Sequence, residues 1–193
     1  MPLFRILRIA FAMMDFAIES VSERFGLGRR RLPAPERLSL ILAWLGTTFI
    51  KVGQALSMRQ DMLPDDYIVA LQSLQDHAPP FPTDIAIAEV VRGLGHPLDE
   101  LFEEFDRQPL AAASVAQVHA ARLRDGRAVI VKVRRPGVRS EIDKDMRAIL
   151  WLARAAMILM PRLKSYHPQR IVEEIWSNLH QETDFRREGR NIR

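Results

Sequence analysis

The sequence predicts an α+β fold in which helices surround a short antiparallel sheet. Two apolar stretches, residues 115–123 and 128–134, are separated by a segment that contains Asp125-Gly126. Asp-Gly between such stretches is typical of a β-hairpin, because both residues tolerate positive φ. Helical patterns precede and follow this hairpin. With 193 residues and 48% hydrophobic content, the chain is long enough to bury a core.

Prolines mark the limits of the helices predicted before the sheet. The chain breaks at Pro33 and Pro35 before the first long helix, and the Pro-rich linker 77–82 ends the second helix because proline cannot continue it. Thr83 is the predicted N-cap of the third helix. The predicted helices cover residues 36–58, 65–75 and 83–93, with a short helical turn that begins at Asp99.

The sheet and two final helices complete the predicted order. Residues 102–110 form a strand that leads into the hairpin through a turn of small residues. Pro161 and the loop 164–168 separate the final helices, which are predicted over residues 139–160 and 168–191. The small-residue turn consists of Ala111, Ala112, Ala113 and Ser114.

Lys132 is the anomaly of the second hairpin strand. Its place in the middle of an apolar, β-branched run predicts that it is buried, and a buried lysine is rare unless it is paired or functional. A phosphate is the favoured partner, since the small-residue turn upstream lets phosphates approach the backbone. Turn, hairpin and strand lysine together predict a nucleotide cradle of the protein-kinase kind. The alternative is a sheet-edge lysine whose stem is buried and whose ammonium group reaches water.

Motifs in a fixed order along the chain carry a family resemblance. They are Lys51-Val-Gly-Gln54, the alanine-rich turn 111–114 with Lys132 after it, and Glu182-Thr-Asp184. Over residues 38–193 the chain resembles the UbiB family of atypical kinase-like proteins, also called the ADCK family. The resemblance implies a protein-kinase-like small lobe, built on a short antiparallel sheet, with family-specific N-terminal helices.

The chain divides into three predicted segments. Residues 1–35 form an amphipathic and basic N-terminal segment, residues 36–100 form a helical extension that carries Lys-x-Gly-Gln, and residues 101–193 form the small lobe. Protein kinases take their catalytic-loop Asp and Asn and a metal-binding Asp from a C-terminal lobe. We expect that lobe, with the Mg²⁺ ligands, in a longer parent protein. The fragment alone is therefore expected to be catalytically inactive.

The resemblance also implies roles for the motif residues. Glu182 resembles the helix glutamate that pairs with the strand lysine, here Lys132, and Asp184 is expected to meet Lys51. Residues two apart on a helix point in nearly opposite directions, so Glu182 and Asp184 need different partners. The candidate catalytic residues are Lys51, Gln54, Glu182 and Asp184, and the candidate nucleotide-binding residues are Ala111, Ala112, Ala113, Ser114 and Lys132.

The function implied by the resemblance is that of an atypical kinase or ATPase of the transferase class. It would bind ATP or ADP with a divalent cation and support ubiquinone (coenzyme Q) biosynthesis at a membrane. If Asp184 meets Lys51, the helix that carries Lys51 lies across the nucleotide site, where an ordinary kinase admits a protein substrate. Phosphorylation of other proteins is therefore not expected. Alanine methyl groups also keep the turn from folding over phosphates as glycine does. The expected partners are nucleotide, a membrane lipid surface or a ubiquinone-pathway lipid, and proteins of ubiquinone biosynthesis.

The N-terminal segment favours attachment to a membrane surface. Residues 3–18 are apolar apart from two arginines and one aspartate, and Arg24 and the basic run 29–31 follow. An amphipathic stretch with a trailing basic cluster suits an anionic membrane, whereas the alternative is a helix packed on its own protein. No stretch predicts a membrane span or a cleavable signal peptide. We therefore expect a bacterial-type chain held peripherally at the cytoplasmic face of the cell membrane.

Composition excludes several other classes of function. The absence of cysteine excludes disulfides and cysteine-based metal sites, and the five histidines show no metal-ligand spacing. The net charge of +4 comes from interleaved acids and bases without a nucleic-acid motif, so no nucleic-acid partner is expected. Taken singly, the motif residues also fit exposed helix faces and an ordinary turn. The alternative function is therefore a non-catalytic regulatory or membrane-surface binding module.

Overall fold

The computed structural model describes residues 2–24, 32–74 and 78–185. Contacts divide the chain into two compact units. The helical unit comprises Met1–Gln75 and Ser140–Gln181, and the sheet unit comprises Asp76–Arg139 and Glu182–Arg193. The predicted α+β class with a short antiparallel sheet is confirmed. The three sequence segments divided at residues 35 and 100 stay a prediction.

Eight α-helices, one 3₁₀ helix and four strands follow one another within the described residues. The helices are α1 (Pro2–Arg24), α2 (Ala34–Leu45), α3 (Thr47–Ser57), α4 (Asp65–Gln72), α5 (Thr83–Leu94), α6 (Leu98–Leu101), α7 (Val138–Leu159) and α8 (Pro168–Glu182). The strands are β1 (Phe102–Phe105), β2 (Ala111–Ala112), β3 (Ala116–Leu123) and β4 (Ala128–Arg134). The 3₁₀ helix Pro161–Tyr166 lies between α7 and α8.

The prediction of one long helix over residues 36–58 is wrong, because Gly46 separates α2 from α3. Gly46 has a φ of +109°, which residues with a side chain rarely adopt. Its N–H donates to Leu42 O at 3.2 Å and its carbonyl accepts from Phe49 N at 2.9 Å, so one helix ends and the next begins there. The sequence pattern concealed the break, because a single glycine is tolerated inside a helix.

Other predicted boundaries also need correction. Thr83 is not the N-cap of α5, since Pro82 precedes the helix and the Thr83 hydroxyl donates to Arg107 O at 2.8 Å. The helix predicted to reach residue 191 ends at Glu182. Residues 186–191 lie outside the described part of the chain. The strand predicted over residues 102–110 ends at Phe105.

Helices α1 to α4 and α7 share the core of the helical unit, where Ile9, Leu42 and Ala148 pack together. An ion pair between the partly exposed Arg5 and the buried Asp145 joins α1 to α7. Arg5 donates through Nε to Asp145 Oδ1 at 2.5 Å and through Nη2 to Asp145 Oδ2 at 2.6 Å. The hydrogen bonds that Arg5 donates to Asp145 raise the pKa of Arg5 against the opposing effect of burial. The pair therefore ties the N-terminal helix to α7.

Strand β3 lies at the centre of the antiparallel sheet. Strand β4 pairs with it over residues 116–122, so β1 and β2 occupy its other side. The predicted hairpin between β3 and β4 is present, because Gly126 has a φ of +85° and its N–H donates to Leu123 O at 2.9 Å. Helix α5 covers one face of the sheet, where its Ala86 and Val90 pack in the core of the sheet unit.

Candidate functional site

Lys132 lies in an exposed position on β4, so the prediction that it is buried is wrong. Its neighbours Val131 and Val133 pack in the core of the sheet unit, and the two-residue period of a strand turns Lys132 to the opposite face. The Nζ atom lies 4.5 Å from the centre of the Phe185 ring, which is a cation–π contact. An apolar run therefore predicts a buried lysine only where both faces of the strand are covered.

The sheet face of Lys132 also carries apolar side chains. Val118 is paired with Lys132, and Ala120 is paired with Ile130. Paired residues of antiparallel strands share a face, so these four side chains lie on the same side of the sheet. Ile130 is 63% exposed. The result is an open apolar surface with a cation at one end.

The alanine-rich turn borders this face and is shorter than predicted. Ala111 and Ala112 form β2 and pair with β3, so only the residues after them make the turn. Ala113 donates its N–H to Ala116 O at 2.8 Å, and this hydrogen bond closes the turn. Ser114 is buried at the centre of the turn.

Arg135 holds the alanine-rich turn in place. Its Nε donates to Ser114 O at 3.0 Å, and its Nη2 donates to Ala113 O at 3.2 Å and to Pro79 O at 2.8 Å. The guanidinium also lies 5.1 Å from the centre of the Phe81 ring. Arg135 was not among the site residues predicted from the sequence. Its available signal was an arginine directly after the strand that carries Lys132.

Two further arginines hold the Glu182-Thr-Asp184 segment by its central residue. Arg134 donates through Nη1 to Thr183 O at 3.1 Å. Arg139 donates through Nε to Thr183 Oγ1 and through Nη2 to Thr183 O, both at 3.2 Å. Thr183 is fully buried, whereas Glu182 is exposed and Asp184 is half-buried. These arginines, which motif matching did not single out, fix the backbone between the two predicted acids.

The predicted pairing of Glu182 with Lys132 and of Asp184 with Lys51 stays a prediction. Lys132, Glu182 and Asp184 belong to the sheet unit, whereas Lys51 belongs to the helical unit. The end of α8 removes one reason for this pairing. Asp184 lies beyond the end of α8, so the rule for residues two apart on a helix does not apply to it.

A cavity of about 640 Å³ lies beside β4 in the sheet unit. Its charged lining residues are Arg92, Lys132, Arg134, Arg139, Glu89 and Asp184. Burial lowers the pKa of Arg134, and the positive charges of Arg139 and Arg92 lower it further. Glu89 and Asp184 act in the opposite direction. The cavity therefore has more basic than acidic groups around it, and the basic groups repel one another.

The Lys51-Val-Gly-Gln54 motif lies on α3, where two of its residues position helices. Gln54 Nε2 donates to Leu74 O at 2.9 Å, just beyond α4. A Cβ atom on Gly53 would overlap Leu74 Cδ1 and would lie 3.0 Å from Leu42 Cδ1. Glycine therefore permits the close approach of α3 to its neighbours. The role of Lys51, which is half-buried, and of Gln54 in catalysis stays a prediction.

A buried polar network on β3 was also missed by sequence reasoning. Gln117 Oε1 accepts from Phe81 N at 3.0 Å, and Gln117 Nε2 lies 2.9 Å from His119 Nε2. His119 Nδ1 lies 2.8 Å from Asp106 O. A carbonyl accepts only, so Nδ1 carries the proton and Nε2 accepts from Gln117. The sequence signal for this network was the pair Gln117 and His119, two residues apart in an otherwise apolar strand.

Asp143 of α7 links that helix to α8, which leads to Glu182. It accepts hydrogen bonds from Trp176 Nε1 at 3.0 Å and from His180 Nε2 at 2.8 Å. Burial alone would raise the pKa of Asp143, but these two hydrogen bonds, together with the positive charges of His180 and Arg147, hold the pKa below its ordinary value. The contact therefore favours the ionised carboxylate.

Residues 2–24, 32–74 and 78–185 contain neither a cluster of metal-ligating side chains nor a helix that could cross a membrane. No three His, Cys, Asp or Glu side chains in these ranges are grouped in a way that would hold a metal ion. No helix in them is both long and apolar enough to cross a bilayer.

Known proteins match this chain over most of its length. The ABC1 atypical kinase-like domain matches residues 73–193. The chain belongs to this ABC1 family. The ABC1 match includes the alanine-rich turn, Lys132 and Glu182-Thr-Asp184, whereas the Lys51 motif precedes it.

Relatives within the ABC1 family confirm the predicted UbiB resemblance. The chain is 44% identical over 161 residues to the probable protein kinase UbiB of Marinobacter nauticus. This match covers 83% of this chain and 29% of the relative. The chain is 43% identical over 167 residues to the probable protein kinase UbiB of Pseudomonas paraeruginosa, covering 86% of this chain and 31% of the relative. The chain thus spans less than a third of the length of these curated relatives.

A solved structure is also similar to this ABC1 chain. It is the complex of Rv3197 with erythromycin from Mycobacterium tuberculosis, at 34% identity and a TM-score of 0.42. The match covers 79% of this chain and 39% of that one.

Proposed function

We propose that the sheet unit binds ATP or ADP through Lys132 and the alanine-rich turn. The observation that carries the proposal is the position of Lys132 at one end of the open apolar sheet face. The side chains of Val118 and Ile130 offer a surface for the base, and the ammonium of Lys132 offers a charge for the phosphates. Arg135 supports the proposal because it holds the turn that borders this face.

For the whole protein, we propose an atypical kinase or ATPase activity of the transferase class that supports ubiquinone biosynthesis. The name UbiB of the relatives supports this, as does their description as probable protein kinases. A bound nucleotide would supply the phosphoryl group. The residues present fit phosphate binding, whereas the described part of the chain holds no cluster of metal ligands. From the resemblance to protein kinases, we propose that the Mg²⁺ ligands lie in a C-terminal lobe of a longer protein, and we expect no catalysis by this chain alone.

Replacing Lys132 by alanine tests the nucleotide proposal. ADP with Mg²⁺ is expected to raise the unfolding temperature of the wild-type chain, because a ligand that binds the folded state stabilises it. The Lys132→Ala variant is expected to need roughly tenfold more ADP for the same rise, since a charge-assisted contact is lost. The measurement is a thermal-shift titration with ADP.

The matched control is Lys144→Ala, which removes an exposed lysine from α7 in the helical unit. Its ADP response is expected to equal that of the wild type. An equal response of Lys132→Ala and the wild type would exclude Lys132 from nucleotide binding.

We propose further that α1 attaches the protein to an anionic membrane surface. Leu7, Phe11, Met14 and Ile18 are each more than half exposed and recur every three or four residues, so they form one apolar stripe. Arg8 lies 4.0 Å above the Trp44 ring, which is itself 56% exposed, and such pairs suit the boundary between lipid and water. The basic run 29–31 adds charge complementarity in the sequence but lies outside the described residues.

The Leu7→Ser/Phe11→Ser variant tests this attachment. Its binding to vesicles that contain phosphatidylglycerol is expected to fall about tenfold or more, because two apolar side chains no longer enter the lipid. Co-sedimentation with vesicles measures the effect. The control variant Val69→Ser changes an equally exposed apolar residue on α4 and should bind as the wild type does. Failure of the wild type to sediment with vesicles would reject the proposal.

A further inference from the structure

The cavity beside β4 has features that nucleotide binding at Lys132 does not use. It lies between the C-terminal half of α5, the end of β4 and the segment after α8. Gly93 and Leu94 form part of its wall, together with Phe185. Arg92, Arg134 and Arg139 are also among its lining residues, so three guanidinium groups belong to the wall of one cavity.

Two of these guanidinium groups are held in fixed positions. Arg134 and Arg139 both donate to Thr183 O, which is buried. A guanidinium carries five N–H donors, so these contacts leave donors for another acceptor. Because these guanidinium groups are already held by the Thr183 carbonyl, the two side chains lose little conformational freedom when an anion binds.

The third guanidinium stands at the exposed rim of the cavity. Arg92 is an exposed side chain of α5 and pairs with Glu89 one turn before it. A pair of this kind in water is weak, so an anion in the cavity can compete for Arg92 at small cost. The mutual repulsion of Arg92, Arg134 and Arg139 is relieved when a negative group lies among them.

We propose that this cavity binds a multiply charged phosphate group, with Arg134 and Arg139 as fixed cations and Arg92 as the cation that closes over it. A single carboxylate would match one guanidinium, whereas three guanidinium groups and Lys132 match the several oxygens of a diphosphate or triphosphate. The group is either a free polyphosphate or the phosphate end of a nucleotide. If the group is the phosphate end of a nucleotide, the inference rests on the proposed function, because Lys132 then contacts the same phosphates in both proposals. A free polyphosphate would not depend on the proposed function.

Inorganic pyrophosphate is the probe, titrated into the full 193-residue chain by calorimetry at low ionic strength. Replacing the rim cation, as Arg92→Gln, is expected to weaken binding about tenfold, because one charge-assisted contact is lost. Arg92 makes no contact with Thr183 among those described, so this variant leaves the anchoring of Arg134 and Arg139 unchanged.

Arg107→Gln is the matched control. Arg107 is an exposed arginine of the sheet unit that pairs with Asp84 of α5, as Arg92 pairs with Glu89, but it does not line this cavity. Pyrophosphate binding by Arg107→Gln is expected to stay within about twofold of the wild type. Equal weakening by both variants would mean general charge attraction and would overturn the proposal. Absence of pyrophosphate binding by the wild type would overturn it as well.

Gly93→Glu is a second variant that keeps every cation. A Cβ atom at Gly93 meets nothing within 4 Å, so the helix accepts the change and a carboxylate enters the cavity wall. Pyrophosphate binding is expected to weaken about tenfold or more, because the new charge repels the anion. Unchanged binding in this variant would overturn the proposal.

Competition with ADP identifies the source of the phosphate. If ADP displaces pyrophosphate and Arg92→Gln weakens both, the cavity takes the phosphate end of the nucleotide. If ADP and pyrophosphate bind together, the cavity takes a separate polyphosphate. ADP binding that depends on Lys132, without pyrophosphate binding that depends on Arg92, would sustain the proposed function and overturn this inference. The reverse result would sustain the inference and overturn the proposed function.

Discussion

The free energy of unfolding of the Arg5→Met variant is expected to be about 3 kcal/mol lower than that of the wild-type chain. The reason is Asp145, which is fully buried and loses its bidentate partner when Arg5 is replaced. Breaking a buried pair leaves an uncompensated charge and costs roughly 3–5 kcal/mol. The lower value applies because the Arg5 side chain is 30% exposed, so water can reach the vacated position.

Urea denaturation followed by circular dichroism measures this change as a shift of the transition midpoint. The double variant Arg5→Met/Asp145→Leu should recover most of the loss, because it removes the buried charge together with its partner. A third variant, Arg127→Met, breaks an exposed pair with Asp125 and should not shift the midpoint measurably. If the double variant is no more stable than Arg5→Met, the loss arises from packing rather than from the buried carboxylate.

The Gly53→Val variant is expected to lose about 2 kcal/mol of unfolding free energy, as overpacked cores do. The new Cβ atom would overlap Leu74 Cδ1 and approach Leu42 Cδ1 at 3.0 Å and Leu71 Cδ2 at 3.4 Å. All three leucines are buried in the core of the helical unit, so none can move away freely. The backbone of α3 must then shift, and Lys51 and Gln54 shift with it.

Gly93→Val is the matched control, since it makes the same change at a glycine inside a helix. Its Cβ atom meets no atom within 4 Å, and valine is a better helix former than glycine. This control should therefore be at least as stable as the wild type, and urea denaturation compares the three chains. Equal stability of Gly53→Val and Gly93→Val would show that Gly53 is not needed for close packing.

Features that depend on neighbouring residues could be predicted from the sequence. The Asp125-Gly126 turn predicts the hairpin because glycine adopts positive φ without a steric cost, and the structure has Gly126 at +85°. The prolines after α4 and α7 likewise predict where these helices end, because proline has no N–H to continue a helix. The ordered motifs predict the family, which the ABC1 match to residues 73–193 confirms.

The candidate site could be predicted only in part. Motif matching found Lys132, the alanine-rich turn and Asp184, and the structure places Lys132 and Asp184 on one cavity. It did not find Arg134 or Arg139, because their importance comes from hydrogen bonds to Thr183, which is more than forty residues away in the chain. No short spacing records such a contact.

The sequence by itself determined the family, the hairpin and the residue types of the site, because these follow from local conformational preference and from motifs with fixed spacing. The tertiary structure alone decided that Lys132 is exposed, that Gly46 divides a helix and that Gly53 permits close packing. Burial depends on which face of a strand is covered, and close approach depends on side chains from distant helices. Both are properties of contacts between residues far apart in the chain.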